Sequence, residues 1–455
     1  MATPASTLDV TSFIDRNRIT PFQLLIAVQC FLIVAIDGFD TAAIGFIAPP
    51  IRALWHLSPQ DLGPVFGAGL AGLMAGALLF GPIGDRIGRK RLLLGCLLVF
   101  GMSSVAAAAS PSFGWLIALR FVTGLGLGGA MPNAVTLTSE YCPARLRSFL
   151  VTTMFCGFTC GSALGGFAAA ALIVNFGWRS VLLVGGVVPL VMALVYVRAL
   201  PESVRYMVNA HWPAARIAAT LRRIDPNANL DGVAFRAADV SHGSGGSHIG
   251  RLFAPELRSG TLLLWLTFFM SLLVIYLLQS WLPTLLHTSG ASLRTAALVT
   301  AMFQVGGTLG AIALGWLMDR LNPCFVLAVA YVLAGVFIAT IGHVTGNPWL
   351  ATISVFWAGV CVSGTQCGAN ALSAAFYPTD CRVTGVSYAN GVGRFGSVLG
   401  SLAGGSMLAA GFDMPTLFAD VGVPAVVAGF AMAVFGFRMR RAQVAPAPVA
   451  VGQWE

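Results

Sequence analysis

Twelve apolar runs, each long enough to cross a lipid bilayer, restrict what this sequence can become. They lie at about 22–47, 61–83, 92–110, 113–137, 148–172, 179–199, 260–283, 294–317, 324–344, 349–372, 384–407 and 417–437. A helix needs about 20 apolar residues to span the hydrocarbon core. In lipid each segment must satisfy its own backbone N–H and C=O groups, so the runs read as helices. Hydrophobic residues make up 57% of the chain and charged residues 9%, against about 25% charged in soluble domains. No soluble core absorbs that much apolar sequence. The expected fold class is an all-α polytopic membrane protein with twelve transmembrane helices. Residues 1–21 are polar and carry Asp9, Asp15, Arg16 and Arg18, unlike a cleaved signal peptide.

The net charge of +9 would suit a nucleic-acid binder, but its placement points elsewhere. Of 26 basic residues only Lys90 is a lysine, and 21 fall on one side if the N-terminus is cytoplasmic. Arg52, Arg179 and Arg294 fall on the other side, and Arg120 and Arg394 lie within spans. This positive-inside asymmetry places both termini and the central loop in the cytoplasm, and no nucleic acid is expected as a partner. The nine cysteines contain no Cys-x-x-Cys pair and none has His at metal-ligand spacing, so neither a disulfide nor a metal is expected.

The chain repeats itself. Gly-x-x-x-Asp-Arg occurs at Gly81–Arg86 and again at Gly315–Arg320, an offset of 234. Gly161-Ser162-Ala163-Leu164-Gly165 returns as Gly396-Ser397-Val398-Leu399-Gly400, Pro143 as Pro378 and Arg147 as Arg382, all offset by 235. Two related six-helix halves are expected, as in transporters built from repeats. The implied divisions are a cytoplasmic segment at 1–21, bundles at 22–199 and 260–438, a central loop at 200–259 and a tail at 439–455. Val204–Ile224 reads as one or two short amphipathic helices, Ser241–His248 as a flexible linker, and the Ala-Pro tail as disordered. His242 and His248 lack the carboxylate or Cys framework of a metal site.

On these residues the chain resembles the major facilitator superfamily. Gly81-Pro82-Ile83-Gly84-Asp85-Arg86-Ile87-Gly88-Arg89-Lys90-Arg91 matches that family's loop 2–3 signature. Arg120-x-x-x-Gly124-x-Gly126-x-Gly128 matches its fourth-span pattern, and Pro201-Glu202-Ser203-x-Arg205 looks like a segment of its sugar and organic-acid members. Asp37-Gly38-Phe39-Asp40-Thr41-Ala42-Ala43-x-Gly45-Phe46 and Ser280-Trp281-Leu282-Pro283-Thr284-Leu285-Leu286 are similar to its aromatic acid:proton symporters. The resemblance implies proton-coupled import of a benzoate-type acid by alternating access, in a bacterial inner membrane. It carries functional roles to Asp37, Asp40, Asp85, Asp319, Arg120, Glu140 and Arg394.

The residues bear their own reading. Asp37 and Asp40 lie three apart in the first span, so on a helix they share a side. Charge at that depth calls for water, protons or cations. Two ionised carboxylates there would repel, so they read as a coupled proton-handling pair. Arg120 and Arg394 are the only basic residues deep in spans, and a guanidinium fork suits a carboxylate. Each arginine reads either as a substrate contact or as a structural partner of Glu140, Asp37 or Asp40. Glu140 itself reads either as functional or as an ion-pair partner of loop arginines. Tyr388 is placed on the same side as Arg394, and Phe39, Tyr276, Trp281, Phe303, Trp357 and Phe376 are further candidates for ring contacts. Gln279, Gln304, Gln366 and Asn390 read either as ring-hydroxyl contacts or as links between helices. Gly81, Asp85, Arg86, Arg89, Asp319 and Arg320 form a gating set, where charge pairs latch and release a conformation.

Gly124-x-Gly126-x-x-Gly129 and Gly391-x-Gly393-x-x-Gly396 imitate a dinucleotide fingerprint, but neither follows a strand. The chain is read as a transporter and not an enzyme, with no cofactor beyond the proton gradient. Its expected partners are a small aromatic carboxylate, protons and the lipid bilayer, and it is expected to work as a monomer. Uptake of another organic anion or sugar, drug or metabolite efflux by proton antiport, and a membrane sensor are the rival readings. Efflux is disfavoured because the glycine array Cys156–Gly166 has no proline.

Overall fold

The computed structural model describes residues 7–237, 248–378 and 381–444, without the side chains of Pro82, Asp85, Ser148, His248, Ile249, Val383 and 440–444. The expected linker with His242, the side chains of His248 and Asp85, and the tail beyond residue 444 lie outside the described residues.

Twelve long helices follow in chain order: α1 Pro21–Leu54, α2 Pro59–Ile87, α3 Arg89–Ala108, α4 Phe113–Tyr141, α5 Ala144–Phe176, α6 Arg179–Ala199, α7 Arg258–Thr288, α8 Leu293–Arg320, α9 Pro323–Val344, α10 Pro348–Phe376, α11 Arg382–Ala409 and α12 Met414–Val444. Eleven of the described helices are long and apolar enough to cross a membrane. The other, α11, has 28 residues but carries Ser387, Asn390, Arg394, Ser397 and Ser401, which dilute its apolar character. Helices outrun the apolar runs (α1 has 34 residues) because capping residues, not the edge of apolarity, set their ends.

Local chemistry starts each helix where the sequence allows. Thr20 and Gln23 form a capping box ahead of α1, with Pro21 at the first turn. Asn322 and Asn347 accept from the first amides of α9 and α10, each followed by proline. Between α2 and α3 the chain turns at Gly88 with φ +98°, a region that favours glycine.

Helix association in lipid relies on close packing of small residues, and the repeat shows where. Gly161 and Gly165 of α5 face Ala35 and Phe39 of α1; Gly396 and Gly400 of α11 face Phe269 and Leu273 of α7. Gly72 and Gly76 of α2 meet the backbone of Phe121 and Leu125 on α4; Gly306 and Gly310 of α8 meet that of Phe356 and Val360 on α10. Each contact recurs at the offset seen in the sequence. Gly124 and Gly128 of the fourth-span glycine pattern pack on the backbones of Gly69 and Leu73 in α2.

Two features were not anticipated in an all-α reading. Thr7–Asp9 pairs in parallel with Ala234–Arg236, a two-stranded sheet. A helix at Val10–Arg16 follows, capped by Asp9, and its Asp15 accepts from Ala144 N at the start of α5 (2.7 Å). The segment after α6, by contrast, forms short helices as expected, Val204–Asn209 and Ala214–Arg222, with Val204, Met207, Ile217 and Leu221 buried.

The chain divides into two compact units. One holds Met1–Ser244, Gln279–Gln304 and Ser401–Ala410; the other holds Gly245–Leu278, Val305–Gly400 and Gly411–Glu455. Within the first, the indole of Trp281 is fully buried, donates to Ser401 O (2.7 Å) and lies edge-on to Phe66 (5.1 Å).

Replacing Gly161 by Leu drives a side chain into the Ala35 carbonyl, and overpacking costs about 1–3 kcal/mol. The expected outcome is a lower unfolding temperature in detergent, whereas Gly95→Ala on α3, which has open space around it, leaves that temperature unchanged or higher.

Candidate functional site

α1 carries its two carboxylates into different environments. Arg120 Nη1 of α4 lies 2.9 Å from both Oδ1 and Oδ2 of Asp40, and Nη2 donates to the Asp40 carbonyl (3.3 Å). Both residues are inaccessible, at 3% and 0% exposure. Room for the pair comes from glycine: a Cβ at Gly69 on α2 would lie 3.7 Å from Arg120 Nη2, and one at Gly185 on α6 the same distance from Asp40 Oδ1. The pair is enclosed by the helices of its own half. Asp37, 2% exposed, accepts from Thr41 Oγ1 (3.2 Å) one turn further on.

This changes the reading of Asp37 and Asp40 as a mutually repelling pair, because Arg120 neutralises Asp40. It also chooses among the partners considered for Arg120. Glu140 is twenty residues further along α4, roughly 30 Å of helix rise, and out of reach.

Glu140 sits in the last turn of α4, where Ser203 Oγ donates to its Oε2; Arg89 and Arg205 lie near enough to act on its charge. Ser203 belongs to the Pro-Glu-Ser segment, as does Glu202, whose Oε1 accepts from the backbone of Lys90 (3.1 Å) and Ser203 (2.9 Å). Glu202 thus supplies an acceptor to the first turn of α3, whose own cap, Gly88, has no side chain. Tyr141 Oη donates to Glu202 O, and Tyr206 Oη donates to Arg86 O (3.1 Å). Glu140 thus has a hydroxyl partner as well as arginines near its charge, Arg89 of the loop among them. Glu202, Ser203 and Tyr206 were missed as site residues, although the Pro-Glu-Ser match had already marked the segment.

Of the gating set, Gly81 and Arg89 are half-buried and Arg86 is exposed. Gly315, Asp319 and Arg320 end α8; the last two are exposed, and the Arg320 guanidinium lies 4.0 Å over the Trp316 ring.

In the second unit Arg394 of α11 is half-buried and its Nη1 donates to Tyr276 Oη of α7 (2.8 Å), with the guanidinium 5.8 Å from that ring. Tyr388 does not join it. It is 40% exposed and stacks on Trp265 (6.2 Å, 15°), eleven residues before Tyr276 on α7. Six residues turn a helix by roughly 240°, so Tyr388 and Arg394 leave α11 on different sides. Asn390, one turn before Arg394, donates to Asn370 Oδ1 (3.0 Å) and ties α11 to α10. Trp357 is exposed and packs on Phe337 and Phe356, and Phe376 packs on Tyr377 and Phe435.

The second unit thus offers a half-open guanidinium fork, a group suited to an anion; the first offers an enclosed arginine–aspartate pair and the buried carboxyl of Asp37.

The family model of the Major Facilitator Superfamily matches residues 30–401 and 264–453. The chain is 47% identical to the 4-hydroxybenzoate transporter PcaK of Pseudomonas aeruginosa, over 94% of this chain and 96% of that one. It is 45% identical to the gallate transporter of Pseudomonas putida, over 97% and 98% of the two chains. Its fold is similar to that of a crystallised D-xylose-proton symporter, with a TM-score of 0.70 over 90% of this chain and 97% of that one at 18% identity. Helices, repeat and match together show that this multi-pass membrane protein belongs to the major facilitator superfamily.

Proposed function

We propose that this chain imports a hydroxybenzoate-type aromatic carboxylate together with protons, by alternating access. The observation that carries the reading is similarity along nearly its whole length to a transporter named for 4-hydroxybenzoate, joined to a half-buried arginine suited to a carboxylate. Arg394 receives the carboxylate through its planar fork, with Tyr276 Oη orienting the guanidinium. Arg120 pairs with Asp40 and fixes α1 against α4, and Asp37, buried one turn away on α1, takes up and releases the coupled proton. The Glu140–Ser203–Glu202 network joins α3, α4 and the segment after α6, so the first half moves as one body, and the gating set releases it on switching. The membrane is a bacterial inner membrane with both termini cytoplasmic, and the monomer suffices. No cofactor enters; the proton gradient drives accumulation.

Cells producing the chain should accumulate labelled 4-hydroxybenzoate, and a protonophore should abolish the accumulation. Faster loss of a preloaded acid than from control cells would overturn import in favour of efflux. Asp37→Asn should lose protonophore-sensitive accumulation yet keep exchange of labelled for unlabelled acid across the membrane.

Arg394→Ala should raise KM for the acid by at least about tenfold, the loss of a charge-assisted hydrogen bond. Arg394→Lys should recover only part of it, because an ammonium cannot make the paired contact.

Removing one member of a buried ion pair typically costs about 3–5 kcal/mol, whereas replacing both with apolar groups is far milder. Arg120→Met should therefore unfold at lower temperature in detergent than the native chain, and Arg120→Met with Asp40→Leu should recover much of the loss. Equal loss in single and double variants would show that the pair is not what holds α1 to α4.

A further inference from the structure

Trp281 of α7 is fully buried, and the groups around it fall into two kinds. Its indole N–H needs a partner once buried, and it donates to Ser401 O of α11 (2.7 Å). The ring then rests on two adjacent glycines of the same helix. A Cβ at Gly404 would come 2.6 Å from Trp281 Cγ, and one at Gly405 would come 3.0 Å from Cη2. The hydrogen bond and the fitted notch therefore both join α7 to α11.

Toward α1 and α2 the contacts are of another sort. The indole lies edge-on to Phe66 of α2 (5.1 Å, 82°). Gly405 lies against Pro59 O at the start of α2, and the Leu402 side chain covers Gly63 and Gly67. On α1, Gly45 lies against the backbone carbonyls of Gln279 and Ser280. All these residues belong to the first compact unit, at the end of the helices joined by the α1–α2 and α7–α8 turns. Rings and small residues hold to one another by dispersion, summed over many weak contacts. A buried hydrogen bond, once broken, leaves both of its groups unpaired. Separation is therefore easier between α2 and the α7–α11 pair than between α7 and α11.

We propose that Trp281 is the latch of a gate. Seated in its notch, the ring closes the passage at this end by packing on Phe66. To let the acid through, the C-terminal ends of α7 and α11 leave α1 and α2 together, with the indole still bonded to Ser401. The inference rests on the transport reading above and adds to it the residue whose withdrawal opens one side. A side chain at Gly404 would displace the ring, so notch and latch are one device.

A disulfide across the parting faces tests the movement. A Cβ at Gly63 would lie 3.7 Å from Leu402 Cα, within reach of the roughly 3.5–4.5 Å between Cβ atoms that a disulfide spans. Cells producing Gly63→Cys with Leu402→Cys are assayed for uptake of labelled 4-hydroxybenzoate before oxidation by copper phenanthroline, after it, and after dithiothreitol. Linked peptides are confirmed by mass spectrometry, and cells producing the native chain or either single variant, under the same oxidant, set the baseline. Uptake should fall with the fraction linked and return on reduction. In detergent, a hydrophilic maleimide should label Gly63→Cys at least about tenfold faster when Trp281→Ala removes the buried ring. The buried native Cys30 and Cys96 should stay protected. Three outcomes would overturn the gate while leaving transport standing: undiminished uptake by the linked chain, unchanged labelling at residue 63, or parallel labelling of Cys30 and Cys96, which marks general loosening. Uptake of the acid by neither native nor variant cells would overturn the transport reading itself, and the latch with it.

Discussion

In lipid, helices gain nothing by hiding apolar surface from one another, since the surrounding chains are just as apolar. What brings them together is close backbone approach, and here glycine permits it at repeated places. The α1–α5 and α7–α11 contacts, and the α2–α4 and α8–α10 contacts, use glycines at matching positions in the two halves. The same closeness creates the chemistry. Arg120 reaches Asp40 in two ways, to its carboxylate and to its carbonyl, and the space for this is left by Gly69 and Gly185.

The ion pair divides the labour on α1. Two charges enclosed in a low-dielectric interior attract strongly, and breaking the pair leaves the survivor uncompensated. Asp40 is thereby committed to Arg120, while Asp37, three residues away, hydrogen-bonds to a hydroxyl on its own helix. The spacing of two aspartates predicts neither environment. Arg394, by contrast, donates to the neutral phenol of Tyr276 and remains half-exposed. One arginine is enclosed with a carboxylate, and the other meets a phenol and stays partly open.

A second constraint lies at the α2–α3 turn. Gly88 adopts a positive φ, and Glu202 occupies the space beside it and accepts from the first turn of α3. The Glu202 carbonyl accepts from Tyr141, whose neighbour Glu140 accepts from Ser203. The loop signature, the end of α4 and the Pro-Glu-Ser segment thus form one hydrogen-bonded network in the first unit. Asp15 adds the N-terminal helix to the start of α5.

Long apolar runs, the bias of arginine and the 234–235 offset made the twelve-helix fold and its internal repeat legible from residues alone, because lipid leaves a helix as the only way to satisfy a single crossing segment. Helix ends were legible where Pro, Asn, Thr or Gly marked them. The identities of the charged span residues were legible too, since any charge at that depth stands out. Their partners were not. Whether Arg120 meets Asp40 or Glu140, whether Tyr388 joins Arg394 or Trp265, and whether Gln279 bridges helices all depend on which faces the helices turn toward each other. Helical spacing fixes angles within one helix, and α11 shows the limit: six residues carry Tyr388 well round from Arg394. The sequence alone determined that these helices form and which residues must be accommodated among them. Only tertiary packing, through glycine-sized approaches between particular helices, decided that Arg120 pairs with Asp40 and that Tyr388 stacks on Trp265.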